Sequence, residues 1–190
     1  QHRDVLVLDV GISAQSINNL VPGSVGGNWK MKVIADALDS ISGYDTVNMI
    51  GWTWLQGESD TTMAVATYTN YFTDLEAYYA SIDCSQCYIV KTREAYGGNA
   101  TIAQAEIIES NPNVHLGTDI TDTFTGTDYM IDNLHYTQAA RILIADAVCD
   151  SIPTEYYGDF ETANILLAAI PVVIICAVLV CAITMYARRD

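Results

Sequence analysis

Apolar residues fall into four short runs rich in β-branched and aromatic side chains: 4–10 (DVLVLDV), 46–54 (TVNMIGWTW), 87–92 (CYIVKT) and 114–118 (VHLGT). Between and after them the apolar positions recur with helical spacing, which predicts helices over about 29–42, 62–82, 100–110 and 137–150. Strands alternating with helices predict an α/β domain over residues 1–152, with a parallel sheet covered on both faces. In such folds the working residues sit on loops that follow the carboxyl ends of strands. Three stretches stand in those places: 11–28 (GISAQSINNLVPGSVGGN), Gln56-Gly57-Glu58, and the loop from Asp132 to His135.

The pattern changes near the C-terminus. Residues 163–187 (ANILLAAIPVVIICAVLVCAITMYA) carry no charge. At about 1.5 Å per residue such a helix reaches ~37 Å, longer than the ~30 Å hydrocarbon core of a bilayer. The expectation is one transmembrane helix over 163–187, with a juxtamembrane linker at 153–162 and a tail at 188–190. Asp159 and Glu161 precede the span and Arg188 and Arg189 follow it, which orients the tail to the cytoplasm and the domain to the extracellular or lumenal side. The sequon Asn99-Ala100-Thr101 makes Asn99 the expected glycosylation site on that side.

The 190 residues suffice for one domain with a sizeable core. Eight Lys+Arg against 23 Asp+Glu give a net charge of −15, which excludes nucleic-acid binding. An external domain requires an export signal, and none is visible ahead of residues 4–10, so an upstream piece is expected to have been removed. Cys84-Ser85-Gln86-Cys87 reads as a redox pair, a metal half-site or a local disulfide. With no second Cys pair or His cluster, a Cys84–Cys87 disulfide is expected and no metal. Cys149 is then left over outside the span, which predicts a bond to another chain.

Two clusters carry candidate chemistry. A serine hydrolase needs a His base and a carboxylate that fixes its tautomer, and Asp132 and His135 lie three residues apart on one loop. The bland alternative is a loop Asp capping the 137–150 helix beside a solvated His. His2 stands near the terminus, and His115 alternates into a strand as a packed residue. In Trp54-Leu55-Gln56-Gly57-Glu58-Ser59-Asp60, Gly57 permits a tight turn and the Gln56 amide can donate towards a developing oxyanion. The alternative there is a helix start, with Ser59 or Asp60 as N-cap before 62–82.

WLQGESD resembles the W-x-Q-G-E-S-D signature of the sialate O-acetylesterase-like carbohydrate esterases, within the SGNH (GDSL-type) hydrolase superfamily. Asp132-x-x-His135 with Tyr136-Thr137 resembles the D-x-L-H-Y block of that family, and Ile102-Ala103-Gln104 its "aQ" helix. Ser16-Ile17 through Pro22-Gly23-Ser24 and Gly26-Gly27-Asn28 resemble the stretch after its second block, so the likeness covers about residues 4–150. The resemblance implies a three-layer α/β/α sandwich of flavodoxin-like type, with His135 as base, Asp132 as its orienting carboxylate and Gln56, beside Gly57, as an oxyanion-hole donor. No cofactor is implied. Where the family's second block reads Gly-Gly-Thr-Ser, with a backbone N–H in the oxyanion hole, this chain has Ser13-Ala14-Gln15-Ser16.

The family's nucleophilic serine belongs to a first block one strand–helix unit earlier, which these residues do not contain. Gly11-Ile12-Ser13 mimics that block, but only one helix separates Ser13 from WLQGESD, a spacing that suits the second block. The resemblance thus implies a membrane-anchored esterase, or a subunit of a cleaved one, that removes O-acetyl groups from glycans by a Ser-His-Asp mechanism. Its partner would be an upstream fragment carrying the export signal, the first strand and the serine, held through Cys149. The alternative is a non-catalytic glycan-binding or structural surface protein on the same fold.

Overall fold

The computed structural model describes residues 3–12, 14–43, 46–132, 135–153 and 182–188. Four strands stand where the alternation predicts them: β1 (Arg3–Asp9), β2 (Thr46–Trp54), β3 (Cys87–Val90) and β4 (Val114–Thr118). They are followed in turn by α1 (Val25–Ser40), α2 (Val65–Ala80), the short α3 (Glu94–Gly97) with α4 (Asn99–Ser110), and α5 (Gln138–Ser151). A further strand, β5 (Ala182–Arg188), brings the sheet to the order β1-β5-β2-β3-β4. The β2, β3 and β4 strands are mutually parallel, whereas β5 is antiparallel to both β1 and β2. β1 and β2 therefore run the same way with one strand position between them. The fold is α/β.

No helix among the described residues is long and apolar enough to cross a membrane. Of the expected span, 163–181 lies outside the described residues, as do 154–162 of the linker and 189–190 of the tail. Its last six residues, 182–187, are extended rather than helical, and Arg188 ends the same strand. Ile183, Thr184 and Tyr186 are good strand formers, and β1 and β2 offer a ladder on each side. The register pairs Asp9 with Ala182 and Arg3 with Arg188 on one side, and Trp52 with Ile183 and Thr46 with Arg188 on the other.

One face of the sheet packs against α1, α2 and α4. Trp52 is fully buried there, with Tyr79 stacked on it at 4.2 Å and Phe72 at 5.5 Å between ring centroids. β2 shifts register between Met49 and Gly51, which returns Trp52 and Trp54 to the face that Met49 occupies. Only glycine fits at the shift, since a Cβ on Gly51 would stand 2.8 Å from the Gln86 carbonyl oxygen. On the other face α5 brings Ala140, Ile144, Val148 and Ile152 against Tyr88, Val90, Ile50 and Leu55.

α1 starts earlier than its apolar pattern predicts. Ser24 caps it, accepting from the Gly27 N–H at 3.0 Å while its hydroxyl donates to Val21 O at 2.7 Å. Gly26 and Gly27 read as loop residues in sequence but are helical here. The preceding turn lies so close that a Cβ on Gly27 would stand 1.9 Å from Val21 O. Cys84 and Cys87 are buried thiols in the first core rather than the expected disulfide, each packed as a small apolar side chain. Among the described residues no group of His, Cys, Asp and Glu is arranged to hold a metal.

Candidate active site

The segments after β1, β2, β3 and β4 gather at the carboxyl edge of the sheet. The loop after β4 is closed on itself: Ile131 N–H donates to His135 O at 2.8 Å, and Thr137 N–H to Tyr129 O at 2.8 Å. Thr137 caps α5, accepting from Ala140 N–H at 3.3 Å, so the capping residue is Thr137 and not Asp132. Asp132 instead holds His135 at two points. Its Oδ1 accepts the His135 backbone N–H at 2.7 Å and its Oδ2 meets Nδ1 at 2.7 Å. A carboxylate on Nδ1 fixes the tautomer with the proton there and leaves Nε2 as the basic atom. The His135 side chain is 24% exposed, so its ring is reachable from outside.

The turn after β2 is built from buried polar groups. Gln56, 1% exposed, donates both amide hydrogens: to Gln15 O at 3.1 Å and to Asp60 Oδ2 at 2.5 Å. Asp60, 3% exposed, also accepts the Ile17 N–H at 2.8 Å and the Ser16 hydroxyl. It is therefore not the N-cap of α2, which begins at Val65 behind Ala64 with no side-chain cap. One buried carboxylate pins the loop after β1 to the turn after β2, and its charge is compensated by three donors.

A second set of bonds fixes the same turn from below. Gln104 on α4, fully buried, donates to Gln56 O at 2.6 Å and to Thr92 Oγ1 at 3.1 Å, and accepts from Thr92 N–H at 3.0 Å. The Tyr68 hydroxyl accepts from Trp54 Nε1 at 3.0 Å and donates to Gln56 O at 3.0 Å. Burial drives the Tyr68 phenol well above its ordinary range, so it acts as a neutral donor. Gly57 sits against this lattice so closely that a Cβ would stand 2.4 Å from Thr92 Oγ1.

Glu58 joins the two clusters. Burial raises its carboxyl above the usual carboxylate range, opposed by backbone N–H groups of Glu58 and Gly57 and by the field of His135. Burial and the Glu58 charge together raise the Tyr136 hydroxyl. Arg93, stacked on Tyr96 at 4.9 Å, acts on Tyr136 in the opposite direction.

The structure thus gathers Asp132, His135, Gln56 and Gly57 at one edge of the sheet. It also commits both Gln56 amide hydrogens to internal partners, so in this state Gln56 shapes the loop instead of presenting a free donor. Ser13 lies outside the described residues, and the adjacent Ala14 is left-handed at φ +55°. Among the described residues no serine hydroxyl is hydrogen-bonded to His135, and the Ser16 hydroxyl is given to Asp60. Asn99 opens α4, and the Thr101 hydroxyl of its sequon donates to Thr92 O at 3.3 Å. His115 is partly buried, tilted over Tyr88 at 5.2 Å with Nε2 2.7 Å from Gln86 Oε1. Cys149 is exposed on α5, with its thiol raised by partial burial and by Asp146 and Asp150.

Sequence reasoning missed Asp60 as the tie between loops and gave Glu58 no role. The available signal was the density of polar residues directly after an apolar strand, where only mutual hydrogen bonding makes burial tolerable. Compared with protein-family models, curated proteins and solved structures, the chain matches none.

Proposed function

We propose that this chain is the membrane-anchored part of a carbohydrate esterase that hydrolyses O-acetyl esters on glycans. The observation that carries the reading is the Asp132–His135 pair, with the carboxylate on Nδ1 and Nε2 left as the base. In this reading His135 takes the proton from a serine on an upstream fragment as the hydroxyl attacks the acetyl carbonyl. The protonated imidazole then returns the proton to the departing sugar oxygen. Water, deprotonated by His135, releases acetate from the acyl-enzyme. The fold would be the SGNH sandwich, the domain external and the span at 163–187, with Cys149 as the candidate link to the fragment.

The test is a fluorophosphonate serine probe on native, membrane-extracted protein. Label on a serine of an associated fragment, lost when His135 is replaced, is the expected result. Absence of label, with a control hydrolase labelled, removes the esterase reading. The occupied amide of Gln56 and the occupied hydroxyl of Ser16 favour a second reading, a non-catalytic glycan-binding or structural surface protein. That reading predicts no label and retained glycan binding.

A further inference from the structure

In a chain of net charge −15, residues 10–29 carry no charged side chain. They form the loop after β1 and the first turn of α1, beside the turn that holds Gln56. Their exposed side chains are of two kinds. Asn18, Asn19 and Asn28 are neutral amides, and Val25 and Trp29 are apolar, at 92% and 50% exposure. Trp29 stands apart from the other two tryptophans, Trp52 and Trp54, which are fully buried. Its place on α1 explains the difference. Gly27, Lys30 and Ile34 face the core, whereas Val25 and Trp29, four residues apart, share the outward stripe.

The amides flank that stripe. At about 100° per residue, Val25 and Trp29 lie between Asn28 on one side and Gly26 on the other. Gly26 is where the loop after β1 abuts the helix, since a Cβ there would stand 2.5 Å from the Asn19 carbonyl oxygen. The hydrogen bonds decide which end of each amide is offered. Asn28 Oδ1 accepts the Gly23 N–H at 3.1 Å, so its amine end is the one available to a ligand. Asn19 Nδ2 donates to Gln15 Oε1 at 3.1 Å, which leaves Asn19 Oδ1 as the acceptor. One aromatic ring thus has a donor on one side and an acceptor on the other.

The chemistry that fits is an uncharged sugar. A pyranose offers an apolar C–H face to an aromatic ring and hydroxyls that both donate and accept. An anionic ligand finds no counter-charge, because Lys30 is buried and Lys32 is paired with Asp36 at 2.6 Å. Two apolar side chains fall far short of the ~800 Å² per partner of a stable protein interface. An anionic bilayer surface would call for a row of Lys and Arg.

We propose that the first turn of α1 and the loop before it form a sugar platform, with Trp29 stacked on an uncharged pyranose and Asn19 and Asn28 bonded to its hydroxyls. Asp60 fixes the platform to the candidate site, because its carboxylate holds Ser16 and Ile17, directly ahead of Asn18 and Asn19, to Gln56. That the sugar belongs to a substrate rests on the esterase reading. The substrate class is then an O-acetylated oligosaccharide with a neutral residue next to the acetylated one. The platform itself rests only on charge, exposure and helix geometry.

The experiment applies native, membrane-extracted protein to a printed set of neutral, sialylated, uronate and sulfated oligosaccharides. Binding to neutral members is expected, weakened about tenfold or more in Trp29→Ala and kept within about threefold in Trp29→Tyr, which retains a stacking ring. Iodide quenching gives a second readout. The quenchable emission lost in Trp29→Ala reports Trp29, since Trp52 and Trp54 are shielded by burial, and a bound neutral glycan should protect it. Near-ultraviolet dichroism of the buried Trp52–Tyr79 stack certifies the fold of each variant. Binding confined to the anionic members, binding to none, or equal binding by Trp29→Ala overturns the proposal. Protection of Trp29 by phosphatidylcholine vesicles and not by neutral glycans also overturns it, in favour of a membrane contact. Serine labelling of the same samples is scored separately. Neutral-glycan binding without label keeps the platform and removes the esterase reading, and label with binding that ignores Trp29 does the reverse.

Discussion

Asp132 meets His135 at both the backbone N–H and the ring Nδ1, each at 2.7 Å, so one carboxylate sets the position and the tautomer of one imidazole. The two contacts need only a three-residue separation, and the closed loop from Tyr129 to Thr137 supplies the curvature.

Asp132→Asn keeps the backbone contact but offers the ring an amide that accepts no charge-assisted bond in the same way. By the precedent of hydrolase triads, the rate of serine labelling in the native assembly is expected to fall by about 10³ to 10⁴. Nitrogen NMR on the His135 ring should show the Nδ1–H tautomer giving way to a mixture. An unchanged tautomer with an unchanged labelling rate would remove Asp132 from the mechanism.

Glu58 makes stability depend on pH. Its folded carboxyl is raised above the unfolded value, so its contribution is full below the ordinary carboxylate range and is lost as pH rises through the folded value. Glu58→Gln removes that loss. Denaturant midpoints measured from acid to neutral pH should show the variant gaining on the native chain as pH rises. Parallel curves would mean that burial of Glu58 carries no ionisation cost.

Asp60→Ala leaves the Ser16 hydroxyl, the Ile17 N–H and one Gln56 amide hydrogen without their acceptor. The expected loss is about 3 to 5 kcal/mol, in line with removal of a buried charge that satisfies several donors. Hydrogen exchange should accelerate across the loop after β1 and leave α5 unchanged. A loss confined to global stability, with no local change in exchange, would contradict the role of Asp60 as the tie.

Ala14 holds φ at +55°, a left-handed conformation that costs a non-glycine residue about 1–2 kcal/mol. Ala14→Gly should raise stability by about 1 kcal/mol, the strain relieved exceeding the entropy added to the unfolded chain. A drop in melting temperature would show that the alanine methyl makes a contact worth more than the strain.

Alternation and helical spacing placed β1 to β4 and four long helices within a few residues, because each element has one buried stripe and its period is local. The motif residues were legible for a similar reason: Asp132 and His135 act across three residues, and Gln56 and Gly57 follow a strand whose apolar pattern is plain. Three things were settled only by tertiary structure. Asp60 became the tie between loops instead of a helix cap, since its partners Ser16 and Ile17 lie more than 40 positions away and no local pattern encodes them. Gly26 and Gly27 became helical because a neighbouring turn demanded their missing side chains. Residues 182–188 became a strand because β1 and β2 are one position apart, a vacancy that arises from the order of strands and is written in neither segment.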